Sequence, residues 1–134
     1  MLGEMVGELT GKITGKRIVQ CHGGEMKIEK TMESSGKVLG NEVTFIATFR
    51  SKERPQGGMT SEGSGIIMLK DGGKAVLHGS GISIPGKGPG MSMRGMRYLQ
   101  TSSAALTRLN NAGLAFEVEI APDGTVHDKI WEWK

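Results

Sequence analysis

The chain has one cysteine among its 134 residues, Cys21, which excludes a disulfide framework and points to a reducing compartment. Aromatic residues make up only 4% of it. Only Tyr98 falls near a basic cluster (Arg94, Arg97, Arg108), so there is no stacking platform and no nucleic-acid partner is expected. His22, His78 and His127 lie too far apart to give a metal-ligand spacing, and neither a metal nor another cofactor is expected. No apolar run approaches the ~18 residues of a membrane span. The start, Met1-Leu2-Gly3-Glu4-Met5, has neither the basic segment nor the apolar stretch of a secretory signal. Net charge is +3, from 17 basic and 14 acidic residues that interleave along the chain, which is a solvated mixed surface rather than a basic footprint. These absences lead to a single soluble, cytoplasmic domain over residues 1–134, large enough to bury a core unaided.

Glycine is what the chain has in quantity, 22 residues spread throughout, and long helical periodicity is missing. Strand-like segments recur between turn residues, the pattern of an all-β sandwich or barrel. A four-residue repeat, Gly3-Glu4-Met5-Val6 to Gly15-Lys16-Arg17-Ile18, puts Gly with Met5, Leu9 and Ile13 on one strand face and the charges on the other. Alternating small and large inward residues suit a tapering small barrel. Asn41–Arg50 alternates most cleanly, Val43, Phe45, Ala47 and Phe49 against Glu42, Thr44, Thr48 and Arg50. Thr101–Asn110 alone reads as a helix, with Leu106 and Leu109 on its buried face and Asn110-Asn111 as its stop. Counting segments gives a single antiparallel β-barrel of about eight strands, with this short helix before the last hairpin.

Turn chemistry sets two registers. Around Ala121-Pro122-Asp123-Gly124-Thr125, a three-residue loop avoids placing Pro122 in the ladder, where it has no N–H to donate. It pairs Phe116 with Ile130, Val118 with Asp128, Glu117 with Lys129 and Ala115 with Trp131. The second hairpin is a mirror. Glu62-Gly63-Ser64-Gly65 and His78-Gly79-Ser80-Gly81 fold about Gly72, setting Gly65 opposite Gly79 and Gly63 opposite Gly81, with Gly73 in the left-handed bulge position. All four glycines then continue the apolar row of Ile67, Leu69, Ala75 and Leu77.

A bare patch on an inward face is either a ligand pocket at a barrel mouth or room for a bulky side chain opposite. The candidate ligand-binding residues are Gly63, Gly65, Gly79, Gly81, Arg97, Phe116 and Asp128. Arg97, Asp128 and Glu132 are inward polar groups that serve either acid–base work or a structural ion pair. No motif assigns a catalytic residue. Gly86-Lys87-Gly88-Pro89-Gly90 lacks phosphate-loop spacing and reads as a loop over a barrel mouth. Cys21 and His22 point to opposite sides of a strand, so they form no dyad, and Cys21 reads as a small buried thiol. Trp131 and Trp133 fall on the outer face, where the short helix or a second subunit would cover them, which makes the chain a candidate homo-oligomer.

The residues Thr101-Ser102-Ser103 through Leu109-Asn110, with Phe116-Glu117, Asp123-Gly124 and Trp131-Glu132-Trp133-Lys134, resemble those of small uncharacterised prokaryotic proteins. The layout of strands and glycines resembles the allene-oxide-cyclase-like and lipocalin-like barrels. That resemblance implies a small apolar or amphipathic ligand in the lumen and, in some members, an isomerase or cyclase activity there. No catalytic residue carries over from it. The third expectation is a non-catalytic oligomeric module working through the Trp131/Trp133 face.

Overall fold

Alternating burial along every strand wraps the chain into a closed barrel of eight antiparallel strands in sequence order, each paired to the next and the last to the first. The computed structural model describes residues 1–86 and 88–134. The strands are β1 (Leu2–His22), β2 (Glu25–Val38), β3 (Asn41–Glu53), β4 (Met59–Leu69), β5 (Lys74–Pro85), β6 (Met91–Thr101), β7 (Leu114–Ile120) and β8 (Thr125–Trp133). Closure removes the free edges that an open sheet would present. β1 is the exception: it pairs with β8 only through Lys12, so beyond Ile13 it runs on as an edge strand paired to β2 alone, while β2 stays paired to β3 as far as Lys27.

The core is the lumen. Val43, Phe45, Ala47 and Phe49 of β3 all point inward, as their alternation requires, and meet Leu9, Ile67, Leu77, Phe116, Val126 and Ile130 from the other strands. On β1 the phase of the glycine repeat breaks early. Val6 is buried and Met5 exposed, because the pairing with β8 slips between Met5 and Gly7.

The last hairpin has the register its turn chemistry dictates: Phe116 faces Ile130, Val118 faces Asp128, and Glu117 faces Lys129. Gly124 takes the left-handed conformation at φ 89°, and the Asp123 carboxylate accepts a hydrogen bond from the Thr125 N–H at 2.9 Å. The glycine hairpin uses the same device one residue earlier than the mirror implies. Gly72, not Gly73, is left-handed at φ 90°, and Asp71 accepts from the Gly73 N–H at 2.8 Å. The loop is therefore Lys70-Asp71-Gly72, equivalent to Pro122-Asp123-Gly124, and the register shifts by two. Gly63 pairs with Gly79, Gly65 with Leu77, and Ser61 with Gly81. A shift of two keeps every side chain on its face, so the glycines still point inward, while His78 moves from Ile66 to Ser64, whose hydroxyl lies 3.1 Å from Nδ1.

The expected helix over 101–110 shrinks to one 3₁₀ turn, Thr107–Asn111. Local polar side chains hold the backbone in other shapes. Thr101 Oγ1 accepts from the Ser103 N–H, and Asn110 bonds both the N–H and the C=O of Thr101. Leu106 and Leu109 are fully buried nonetheless, closing the end of the barrel where β6 passes to β7. No described helix is long and apolar enough to cross a membrane.

Candidate functional site

The inward glycines of β4 and β5 are sockets. A Cβ on Gly65 would lie 2.6 Å from Phe45 Cε1, and one on Gly63 would lie 2.7 Å from Phe49 Cβ. A Cβ on Gly79 would lie 2.9 Å from Arg97 Cγ, and one on Gly81 would lie 3.1 Å from Phe116 Cζ. At Gly65 and Gly79 the missing side chain leaves room for the Phe45 ring and the Arg97 stem, whereas at Gly63 and Gly81 the nearest atoms are the Thr48 and Arg94 carbonyl oxygens, each at 2.5 Å, so there the glycine lets the neighbouring strand approach. The bare patch is therefore largely taken up by neighbouring side chains and backbone.

Arg97, on β6 between Gly79 and Leu114, is 6% exposed, and Asp128, on β8 between Val118 and Leu9, is 0% exposed. Arg97 Nη1 stands 2.9 Å from both carboxylate oxygens, with hydrogen-bond geometry to Oδ1. Oδ2 has no hydrogen-bond partner among the described residues. The guanidinium carbon lies 4.2 Å from the ring centre of Phe116 and 5.4 Å from that of Phe45, so the cation lies over two π faces. Burial pushes the Asp128 carboxyl above its ordinary value, and Arg97 pulls against that shift without cancelling it.

Beside the guanidinium is a cavity of about 50 Å³, walled by Phe45, Phe49, Met32, Met93, Phe116, Arg97, Ser61 and all four socket glycines. At roughly 10–15 Å³ per water, it admits about three to five water-sized groups. Among the described residues that wall it, Arg97 is the only charged side chain turned inward, since Glu62 is exposed on the outer face of β4 and Asp128 does not line the cavity. Ser61 continues into a buried chain of hydroxyls, 2.7 Å to Ser51 and 3.3 Å to Ser83. Lys30 on β2 is in phase with inward-facing Met32 and Ser34 and pairs with Phe49. Burial, with Lys16 nearby, lowers its affinity for a proton.

The other candidates disperse. Glu132 is held by Arg108 at 2.7 Å at the closed end of the barrel and does not reach the cavity. Trp131 is half-buried and Trp133 is 57% exposed, and the 3₁₀ turn packs against β6 rather than over them. Cys21 is exposed, not buried as expected, because it sits at the tip of the β1–β2 hairpin, past the last pairs of β1 with β8 and of β2 with β3. Lys87 of the Gly86–Gly90 loop lies outside the described residues. Among those described, no cluster of His, Cys, Asp and Glu could hold a metal. Sequence reasoning missed the occupants of the sockets, Phe45 and Phe49, and the serine chain. The serines were readable from phase alone: Ser51, Ser61 and Ser83 each stand two residues from an inward Phe49, Gly63 or Gly81.

No family model matches the chain, and no curated protein matches it in sequence. Solved structures do match its shape. A Clostridium acetobutylicum protein of unknown function superposes with a TM-score of 0.82 at 14% identity, covering 98% of both chains. A β-barrel-like protein from Acinetobacter baumannii gives 0.81 at 9% identity over 99% of this chain and 96% of its own. An enzyme from Penicillium herquei gives 0.66 at 15% identity over 96% and 92%. At these identities the likeness is one of fold.

Proposed function

We propose that this chain is a small-molecule-binding barrel whose lumen receives its ligand against Arg97. The observation that carries the reading is a buried guanidinium, lying over two phenyl rings, that forms the one charged wall among the described residues of an otherwise largely apolar cavity. Apolar walls with few, fixed polar groups are the usual make-up of a ligand site. The barrel architecture is compatible with the allene-oxide-cyclase-like and lipocalin-like comparison, but the cavity is far below the roughly 300–1,000 Å³ of a drug-sized site. The ligand is therefore a short molecule rather than a long lipid. An isomerase or cyclase in the same lumen would rely on Arg97 to polarise a substrate oxygen, since neither Asp128 nor Glu132 lines the cavity. The test is native mass spectrometry of freshly purified protein, followed by thermal shift with short acids, amides and alcohols. A retained small mass or a ligand-dependent rise in melting temperature supports the reading; neither, across the panel, refutes it.

A second reading concerns assembly. Trp133, Met5 and Leu2 are each about half exposed or more, on adjacent strands β8 and β1, and a homo-oligomer built there would cover them. Sedimentation of wild type and of Trp133→Ala tests it. A dimer that dissociates in the variant supports the interface, and a wild-type monomer refutes it.

A further inference from the structure

We propose that the ligand of the lumen is a short monocarboxylate, gripped by the Nε–Nη2 edge of Arg97; this rests on the lumen being a ligand site. Arginine carries five N–H donors in a planar fork. Here Asp128 engages Nη1 alone, and among the described residues the Nε–Nη2 edge has no protein acceptor. That edge is the side of the fork that meets both oxygens of a carboxylate at once. Phe116 and Phe45, whose ring centres lie 4.2 and 5.4 Å from the guanidinium carbon, offer the cation π electrons but no oxygen acceptor, so the N–H groups of that edge are left for another partner.

Size and charge narrow the class. A cavity of about 50 Å³ takes a carboxyl group with up to about two further heavy atoms before any wall must move. A dianion such as phosphate would bring two charges to a guanidinium that Asp128 already neutralises, among apolar walls. A monocarboxylate brings one. The lumen balances that charge if Asp128 takes a proton as the ligand enters, leaving one cation, one anion and one neutral acid. Asp128 is prepared for this by its burial. The groups around it are few. Its strand partners Leu9 and Val118 are apolar, Arg97 faces it from β6, and His127 beside it on β8 turns outward to Glu8. Lys30 beside Phe49 is a cation on the lumen side, and Glu132 is held by Arg108 at the closed end.

The experiment is NMR of the full chain, following the Arg97 Nε–H resonance and the Met32 and Met93 methyls. Acetate and propionate are titrated in parallel with the uncharged propionamide and with hexanol. Propionate should move the Arg97 resonance and the methyls together, bind at least tenfold more tightly than propionamide, and weaken by up to about tenfold per pH unit as Asp128 must be protonated on binding. Arg97→Met/Asp128→Leu, which removes both charges, should lose the propionate response while its methyls report an intact fold. If propionamide or hexanol shifts the methyls while carboxylates leave Arg97 unmoved, the carboxylate assignment falls and the lumen reading stands. If no probe shifts either signal, both fall.

Discussion

Removing Arg97 alone should destabilise the barrel by an amount set by the pH, and the limit can be worked out. Arg97→Met leaves Asp128 buried with no cation, a change that costs about 3–5 kcal/mol where a buried pair is broken on one side. The carboxyl escapes part of that cost by protonating. At about pH 7, holding a proton against an unfolded pKa near 3.8 costs about 1.4 kcal/mol per pH unit, or about 4 kcal/mol in all. The loss at neutral pH is thus about 3–4 kcal/mol, and near pH 4 the proton is almost free, so this part of the loss shrinks to a few tenths of a kcal/mol. The sign follows from the direction of the shift. Asp128 is raised in the folded state, so its stabilising share is complete below the unfolded pKa and is lost as pH rises through the folded one. Wild type should show the same slope over a narrower window, since Arg97 restrains the shift. Arg97→Met/Asp128→Leu should recover wild-type stability or exceed it by about 1–4 kcal/mol, and lose the pH term. Urea denaturation of wild type, the single variants and the double variant at acid and neutral pH measures all of this. A single variant equally unstable at both pH values, or a double variant no better than the single, would refute the account.

The sockets predict an unequal response to alanine. Gly65→Ala must push Phe45 and crowd the Ile46 carbonyl at 2.8 Å, for about 1–3 kcal/mol of destabilisation, while Gly15→Ala meets only Thr31 at 3.6 Å and should be close to neutral; equal denaturation midpoints would contradict the packing. Gly72→Ala forces a side chain into φ 90° and should cost about 1–3 kcal/mol, with a smaller loss for Gly73→Ala, where the nearest atoms are the side-chain oxygens of Ser103 and Asp71; the reverse order would restore the mirrored register. Leu109→Ala should cost about 2–5 kcal/mol by opening a hole under the closed end, and a loss below 1 kcal/mol by thermal melting would show that the 3₁₀ segment does not seal it.

How far the fold was legible depended on whether the deciding interaction was local. Pro122 cannot donate to a ladder and Asp123-Gly124 chooses the turn, so the last hairpin follows from five residues. The glycine hairpin holds two consecutive glycines, and symmetry favoured the second. The Asp71 carboxylate decides for the first by bonding the Gly73 N–H. The 101–110 segment has a helical spacing of leucines, but Thr101, Ser103 and Asn110 bond one another's backbone instead, and a segment so short has no long-range helix to oppose them. The pairing of Arg97 with Asp128 could be named as an alternative because both share inward phase. Its burial between Phe45 and Phe116 could not, since that depends on how strands three and seven in chain order tilt across the lumen.

That tilt explains why glycines and charge occur together here. An arginine side chain crossing a lumen this narrow needs its stem laid flat on the wall, and Gly79 opposite Arg97 gives the stem its 2.9 Å approach to where a Cβ would be. Phe116 beside Gly81 and Phe45 beside Gly65 then bring their ring centres within 4.2 and 5.4 Å of the guanidinium carbon. Three inward positions thus lack side chains around one ion pair. A purely structural core would gain from the opposite choice, because apolar residues of matching volume at Arg97 and Asp128 avoid the desolvation of two charges, several kcal/mol per ion. What the apolar core could not offer is an N–H edge against apolar walls, where a hydrogen bond to an anion is stronger than in water. The same arrangement that weakens the barrel as a scaffold is therefore the one on which the proposed ligand site rests.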